Sequence, residues 1–507
     1  MLPPSYLDQM PDAFVQLWQQ VEEQILQDVA RRIGKMDKVT PTANWQLWRY
    51  QQTEALRNDV VKLLAKYTGK SETAIRKLLL QAATEAMERE DAIYYHYGKE
   101  PQPFEESAAL NNLLDAGARQ TCGTWQNLTA TTANTVTGAF ERTLDAAWLK
   151  VSTGAFDYKT AVKQAVDSLA DDMPMVTYPS GHKDSIEVAA RRAVLTGVNQ
   201  TCGKLQEARM DEMGCEFVET TAHGGARPSH AEWQGRQFHR GGAVTYKGKY
   251  YPDFYEATHY GSGDGIYGWN CSHTHFAIFP ELGAPPQWTQ EQLRELNARN
   301  IEWNGKKYTA YEISQMQRAR ERNVRRWKKR YLAEDAAGLD PTDAAVRLRA
   351  ARQSLAEFAQ ATGGRVDSAR VSVPKFGRSE AGKASYIVQK QTRFDAANKE
   401  LQQMREAGTI KAKGKLIASP PAPNEINFAS EHVLQRWAER GMGPMDAERI
   451  IRTSKIAMSQ RNGTQTCYYS EYGFVAIGQD GNVASIGPLD EGGKKLMEVV
   501  RKHGIPH

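Results

Sequence analysis

Apolar side chains recur at three- and four-residue steps through the first ~210 residues of this chain. Between Asp12 and Ile33 they are Phe14, Leu17, Trp18, Val21, Ile25, Val29 and Ile33, one stripe of a helix, and Gly34 follows as a stop signal. The same period runs through Trp45 to Tyr67, Glu72 to Met87, Leu110 to Leu149 and Ser185 to Gly214, with breaks such as Pro101-Gln-Pro103 and Tyr178-Pro-Ser-Gly181. Each stripe has to be buried against another, so the pattern predicts an elongated helical region.

From Cys215 to about Gly283 the texture changes to short β-prone runs, aromatics, glycines and six of the eleven histidines, which predicts a compact mixed segment. Helical signals return over residues 289 to 335. Within them residues 301 to 330 carry ten Lys or Arg against three Glu, although the whole chain has a net charge of only +5. Arg318 to Arg330 puts cations on every face of a helix, which predicts that solvent or a polyanion surrounds it. Residues 336 to 423 read as a helical extension ending in the linker Ser419-Pro-Pro-Ala-Pro423. After it come helices at Phe428 to Gly441 and Pro444 to Arg452. Strands follow at Thr464 to Tyr469, Phe474 to Ile477 and Val483 to Ile486, the last two joined by the turn Gln479-Asp-Gly-Asn482.

The expected fold is an α-rich α+β multidomain protein. Its expected domains are 1–214 helical, 215–285 compact and mixed, 286–335 basic and helical, 336–423 extension and linker, and 424–507 a small α+β domain. At 507 residues the chain exceeds what one core usually serves. No apolar run approaches the ~20 residues of a membrane span, and the start lacks the basic and apolar regions of a signal peptide. Five scattered cysteines without a C-x-x-C pair predict reduced thiols in a protein made in a cytoplasm.

Two long patterns, Ala222-His-Gly-Gly-Ala-Arg-Pro-Ser-His-Ala-Glu-Trp-Gln-Gly235 and Tyr260-Gly-Ser-Gly-Asp-Gly-Ile-Tyr-Gly-Trp-Asn-Cys-Ser-His273, resemble the tailed-phage minor capsid protein 2 family. Val176-Thr-Tyr-Pro-Ser-Gly181, Ala190-Arg-Arg-Ala-Val-Leu-Thr-Gly-Val-Asn-Gln200 and the basic helix Tyr311 to Arg330 look like the same family, so the resemblance covers most of residues 1 to ~335. It is similar in a broad sense to Mu-type head morphogenesis proteins. The resemblance implies a virion protein of the phage head, made in the bacterial host cytoplasm and without catalytic activity. The implied partners are the portal protein, the major capsid protein and packaged phage DNA. Where the Mu-type relatives place paired cysteines, this chain has His230 and Cys271-x-His273.

Ser430-Glu-His-Val-Leu-Gln-Arg-Trp-Ala-Glu-Arg-Gly441, followed by short strands, resembles the small barnase/colicin/RelE-like ribonuclease domains. On a helix His432, Arg436 and Arg440 share one face. Metal-independent RNA cleavage needs a base, a cation for the phosphorane and an acid. His432 is the candidate base or acid and Arg436 or Arg440 the cation, with Ser459, Arg461, Tyr468 and Tyr469 in support and host RNA as substrate. Against this, residues 424 to 507 carry ten cations and ten anions, and an inert helix face accounts for the same residues.

Three further groups bear chemistry. If residues 271 to 275 are extended, Cys271, His273 and His275 share a face, and His223 and His230 lie on a nearby loop. A set of His223, His230, Cys271 and His273 suits tetrahedral zinc; otherwise no cofactor is expected, and the same groups serve as hydrogen-bond partners of buried backbone. That leaves a zinc-dependent enzyme as a third function class. Gly261-Ser-Gly-Asp-Gly265 lacks the order of a phosphate-binding loop and reads as turns, with Trp233, Trp269, Tyr251 and Tyr255 packed around it. Arg318, Arg320, Arg322, Arg325, Arg326, Lys328, Lys329 and Arg330 suit DNA phosphates, or alternatively an acidic surface of a neighbouring virion protein.

Overall fold

A computed structural model describes residues 2–36, 42–172, 175–178, 180–283, 285–410, 414–417, 420, 423, 426–428, 434–435 and 439–505. It is α-rich α+β, as expected, and divides into two compact units, Met1–Gly377 and Arg378–His507. Among the described residues no helix is long and apolar enough to cross a membrane.

The N-terminal unit is built on long helices: α1 Pro4–Gln9, α2 Asp12–Gly34, α3 Thr42–His96, α4 Ala108–Ser152 and α5 Tyr158–Asp172, then the short strands β1 Val176–Thr177 and β2 Lys183–Asp184, and α6 Ile186–Glu212. Every residue of the Asp12-to-Ile33 stripe except Leu17 is buried. Gly34 does not end α2 by a left-handed turn. It is a helical residue on which a Cβ would stand 2.6 Å from the Ala337 carbonyl oxygen, so close backbone packing is what requires glycine there. The two helices expected over 45–67 and 72–87 are one. Gly69 costs such a helix about 1 kcal/mol, and burial of Leu64, Ile75 and Leu79 on the flanking turns offsets it. Helices α4 and α6 approach closely through a reciprocal pair: a Cβ on Gly117 would meet Thr201 Oγ1 at 2.3 Å, and one on Gly197 would meet Thr121 Oγ1 at 2.4 Å.

Next come β3 Phe217–Thr220, α7 Pro228–Ala231, β4 Gln237–His239, β5 Val244–Tyr246, β6 Lys249–Tyr251, α8 Phe254–Ala257 and β7 His275–Ala277. β3 lies between β4 and β7 in a three-stranded antiparallel sheet. This segment shares a core with the long helices, since Tyr94 of α3 and Met210 of α6 pack among Val218, Trp233, Phe238 and Phe254. The stretch read as helix over 289–335 begins instead with α9 Gln290–Leu296 and a hairpin, β8 Ile301–Trp303 with β9 Lys306–Tyr308. Its turn is Asn304-Gly305, both at positive φ, a dipeptide that already signals a hairpin.

Helix α10, Ala310–Ala336, overturns the expectation of a helix in solvent or on a polyanion. It packs against α2, α5 and α11 (Thr342–Ala361), burying Val324, Tyr331, Leu332 and Ala333. Its cations meet acids from distant parts of the chain. Lys329 pairs with Glu22, Arg325 with Glu187 at 2.9 Å, Arg326 with Asp171 at 2.5 Å, and Arg330 with Asp167. Lys328 donates to the Val371 carbonyl at 2.5 Å, and burial with neighbouring Arg352 and Arg325 pushes its ammonium down to about 8.

Glu23 is buried in the same layer. It accepts from Gln27 at 2.8 Å through Oε1, while Oε2 has no hydrogen-bond partner among the described residues. Burial pushes its carboxyl from 4.5 up to about 7, against the pull of Gln27 and Lys329. A raised folded-state pKa gives stability that is full below the unfolded value and lost as pH rises through the folded one. Glu23 is therefore expected to cost on the order of 3 kcal/mol between about pH 4.5 and 7. Urea midpoints at pH 5.5 and 8 should show Glu23→Gln reducing the loss seen in the wild type; an equal loss in both would refute this.

The C-terminal unit opens with α12, Arg378–Glu406, which lies in the part read from sequence as extension before 424. A five-stranded antiparallel meander follows in chain order: β10 Lys415–Ile417, β11 Ile456–Gln460, β12 Gln465–Ser470, β13 Gly473–Gly478 and β14 Val483–Gly487. The three expected strands and the 479–482 turn are present, and β10 and β11 are additional. Alternation sends Met458, Cys467, Tyr469 and Ala476 against α12 and α14 (Glu491–Lys502), and Ala457, Tyr468, Val475 and Ile477 against α13 (Pro444–Thr453).

Candidate metal centre and the cavity beside it

Three residues singled out by spacing converge in the N-terminal unit. His230 leaves α7, a one-turn helix started by Pro228, while Cys271 and His273 lie on the extended approach to β7. All three side chains are buried. His230 Nδ1 stands 3.3 Å from His273 Nδ1, and Cys271 Sγ lies 3.9 Å and 3.7 Å from these two nitrogens.

The outer nitrogens are held from behind. His230 Nε2 lies 2.7 Å from the Asp264 carbonyl oxygen, and His273 Nε2 lies 3.1 Å from Gln234 Oε1. That amide oxygen also accepts the His223 backbone N–H at 3.1 Å. Trp233 covers the two rings, its centroid 4.7 Å from that of His230 and 4.8 Å from that of His273. Asn199, fully buried on α6, donates to the carbonyls of both Cys271 and His273 and so fixes the backbone between them. Burial pushes the His230 imidazole down to about 4 and the Cys271 thiol up to about 11. The loop behind His230 is as tight as glycine permits: a Cβ on Gly265 would lie 1.9 Å from the His259 carbonyl oxygen. The 261–265 stretch is thus a run of turns, as read.

His223 belongs to the neighbourhood rather than to the trio. It is half-buried, its ring centroid 4.4 Å from that of His273, and its Nδ1 faces the Gly224 carbonyl at 3.2 Å. His275, expected on the same face as Cys271 and His273, turns away to Glu207 at 2.8 Å and Tyr267 at 2.6 Å, because the chain is not a regular strand until His275 itself. Of the aromatics expected around the 261–265 loop, Trp269, though 63% exposed, lies against Gly263, Trp233 packs over His230 and His273, and Tyr251 packs away from it on Phe217. Gln234 and Asn199 were not read as part of the site. Gln234 sits one helical turn beyond His230, and nothing in the sequence points Asn199 at a loop 72 residues away.

His223, His230, Cys271 and His273 border a cavity of about 720 Å³, which is also lined by Arg318, Arg322 and Arg325 of α10 and by Arg191 and Arg227. Of the eight cations read as a DNA-binding set, Arg325, Arg326, Lys328, Lys329 and Arg330 are engaged inside the unit. Arg320 lies over the Phe358 ring at 4.0 Å, Arg318 is half-buried on the cavity wall, and Arg322 is exposed. The structure does not bring them together as one open cationic face.

Among the described residues the other candidate set is not gathered either. His432 and Arg436 lie outside the described residues, as do Ser419, Pro421, Ala422 and most of the helix expected from Phe428 to Gly441. Arg440 donates to the Ile486 carbonyl at 2.6 Å. Arg461 sits in the β11–β12 turn, beside the 479–482 turn at the other end of the sheet. Tyr468 is buried against α13, Tyr469 lies on the opposite face, and Ser459 is paired across from Lys415.

A profile of the family described as phage minor capsid protein 2 matches residues 2–360. A protein described as a structural protein of Lactococcus phage LL-H is 28% identical over 253 residues, covering 47% of this chain and 63% of that protein. The chain thus spans less than two thirds of that relative's length. No solved structure matches.

Proposed function

The chain belongs to the phage minor capsid protein 2 family, and on that basis we propose that it is a structural component of the phage head, seated at the portal and against the major capsid lattice. The observation that carries this is the extent of the match. Residues 2–360 make up nearly all of the compact unit Met1–Gly377, so the likeness covers a whole folded body rather than a local motif. A body whose cations are neutralised from within suits a rigid part in an assembly. Contact with packaged DNA then falls to Arg322 and the cavity wall rather than to the whole face of α10.

The C-terminal unit acts as a binding module on this head protein. Residues 424–507 carry ten cations against ten anions, and Arg440, Arg461 and Tyr468 stand apart, which favours this over the ribonuclease reading that His432 and Arg436 suggested.

Purified particles provide the test. The protein is expected in DNA-filled heads, to survive a high-salt wash and to cross-link to portal; absence from filled heads would overturn the reading. Expression of the full chain should leave host RNA intact, with His432→Ala growing no differently. RNA cleavage that persists in chelator and vanishes in His432→Ala would instead establish the ribonuclease.

A further inference from the structure

We propose that His230 Nδ1, His273 Nδ1 and Cys271 Sγ hold a divalent metal ion of the zinc class, with the fourth position facing the cavity. This goes beyond the head-protein reading and does not depend on it.

The argument begins with proton positions that the hydrogen bonds dictate. The Asp264 oxygen is a backbone carbonyl and can only accept, so His230 Nε2 carries the hydrogen. Gln234 Oε1 receives the His223 backbone N–H, which identifies that atom as oxygen, so His273 Nε2 must also be a donor. With both outer nitrogens protonated, the neutral rings turn bare Nδ1 lone pairs toward each other across 3.3 Å, inside a buried pocket. Two acceptors face to face repel, and a cation between them removes the conflict. Ligating histidines are usually anchored in this way, through the far N–H to a carbonyl or amide oxygen.

The distances point to the size of the ion. Zinc bonds of about 2.0–2.1 Å to nitrogen and about 2.3 Å to sulfur, at tetrahedral angles, separate two nitrogens by about 3.3 Å and nitrogen from sulfur by about 3.5 Å. The corresponding separations here are 3.3, 3.7 and 3.9 Å. The His273 backbone N–H points at Cys271 Sγ at 3.4 Å, a donor suited to a thiolate. Two imidazoles and a thiolate favour zinc over magnesium or calcium, which take oxygen ligands. Bound there, the ion ties the 222–235 loop to the 264–273 loop.

The full chain should be purified from zinc-supplemented cells without chelator and its metal measured by mass spectrometry. About one zinc per chain is expected, and less than about a tenth of that overturns the proposal. Chelator-stripped protein reloaded with cobalt(II) should show a thiolate-to-cobalt charge-transfer band. The band should vanish in Cys271→Ser and persist in Cys467→Ser. A wild-type cobalt spectrum without it, or its survival in Cys271→Ser, refutes the ligand assignment even if another variant fails to fold.

Discussion

Lys329→Met is expected to destabilise the N-terminal unit by about 3–5 kcal/mol, because it strands a buried carboxylate. Lys329 and Glu22 are both largely buried, and Glu22 also accepts the backbone N–H groups of Ile186 and Glu187 at the start of α6, at 3.1 and 3.4 Å. Glu187, beside them, takes Gln19 at 2.7 Å and Arg325 at 2.9 Å. Burial works against its ionised form, but Lys329 and Arg325 hold its carboxyl below the usual range. Removing Lys329 therefore leaves Glu22 without its cation and weakens the hold on Glu187, which keeps Arg325. Removing both members is milder, so Glu22→Gln with Lys329→Met should recover part of the loss. The urea midpoint of the full chain measures this. A change below about 1 kcal/mol for Lys329→Met would mean that the pairing is not needed for folding, and would return α10 to the role of a surface for an outside polyanion.

Trp18→Ala should cost a similar amount, about 3–5 kcal/mol, for a different reason. Trp18 is fully buried at the centre of the helical core, edge-on to Trp125 with centroids 4.6 Å apart, and its indole N–H donates to Ser71 at 3.1 Å. The substitution removes the bulk that separates α2 from α3 and α4, and these long helices cannot collapse into the space without disturbing contacts along their length. Trp18→Phe keeps most of the volume and should lose distinctly less. Calorimetry of the three proteins checks the order; a Phe variant as weak as the Ala one would place the effect in the hydrogen bond to Ser71 rather than in packing.

Several features were legible because they are local. The stripe from Phe14 to Ile33, the Ser185 start of α6, the 479–482 turn and the alternation of the last three strands each follow from rules acting over a few residues. The Asn304-Gly305 turn was equally visible, but the helical period on either side concealed it. β10 was hidden because its partner strand starts 39 residues after β10 ends. The metal candidates were found because histidine and cysteine are scarce, but spacing wrongly suggested that His275 would share their face.

The sequence by itself determined that this chain is helix-rich with two mixed regions, and which histidines and cysteine deserve attention, since period, turn chemistry and composition act within a few residues. Only the tertiary structure decided where charge goes. A run of arginines and lysines looks the same whether it meets DNA or Glu22, Asp167, Asp171 and Glu187 from elsewhere in the chain, because Coulomb attraction depends on distance in space and not on separation in sequence. The same holds for His230 and His273, whose opposed lone pairs exist only because Asp264 and Gln234 reach them through the fold.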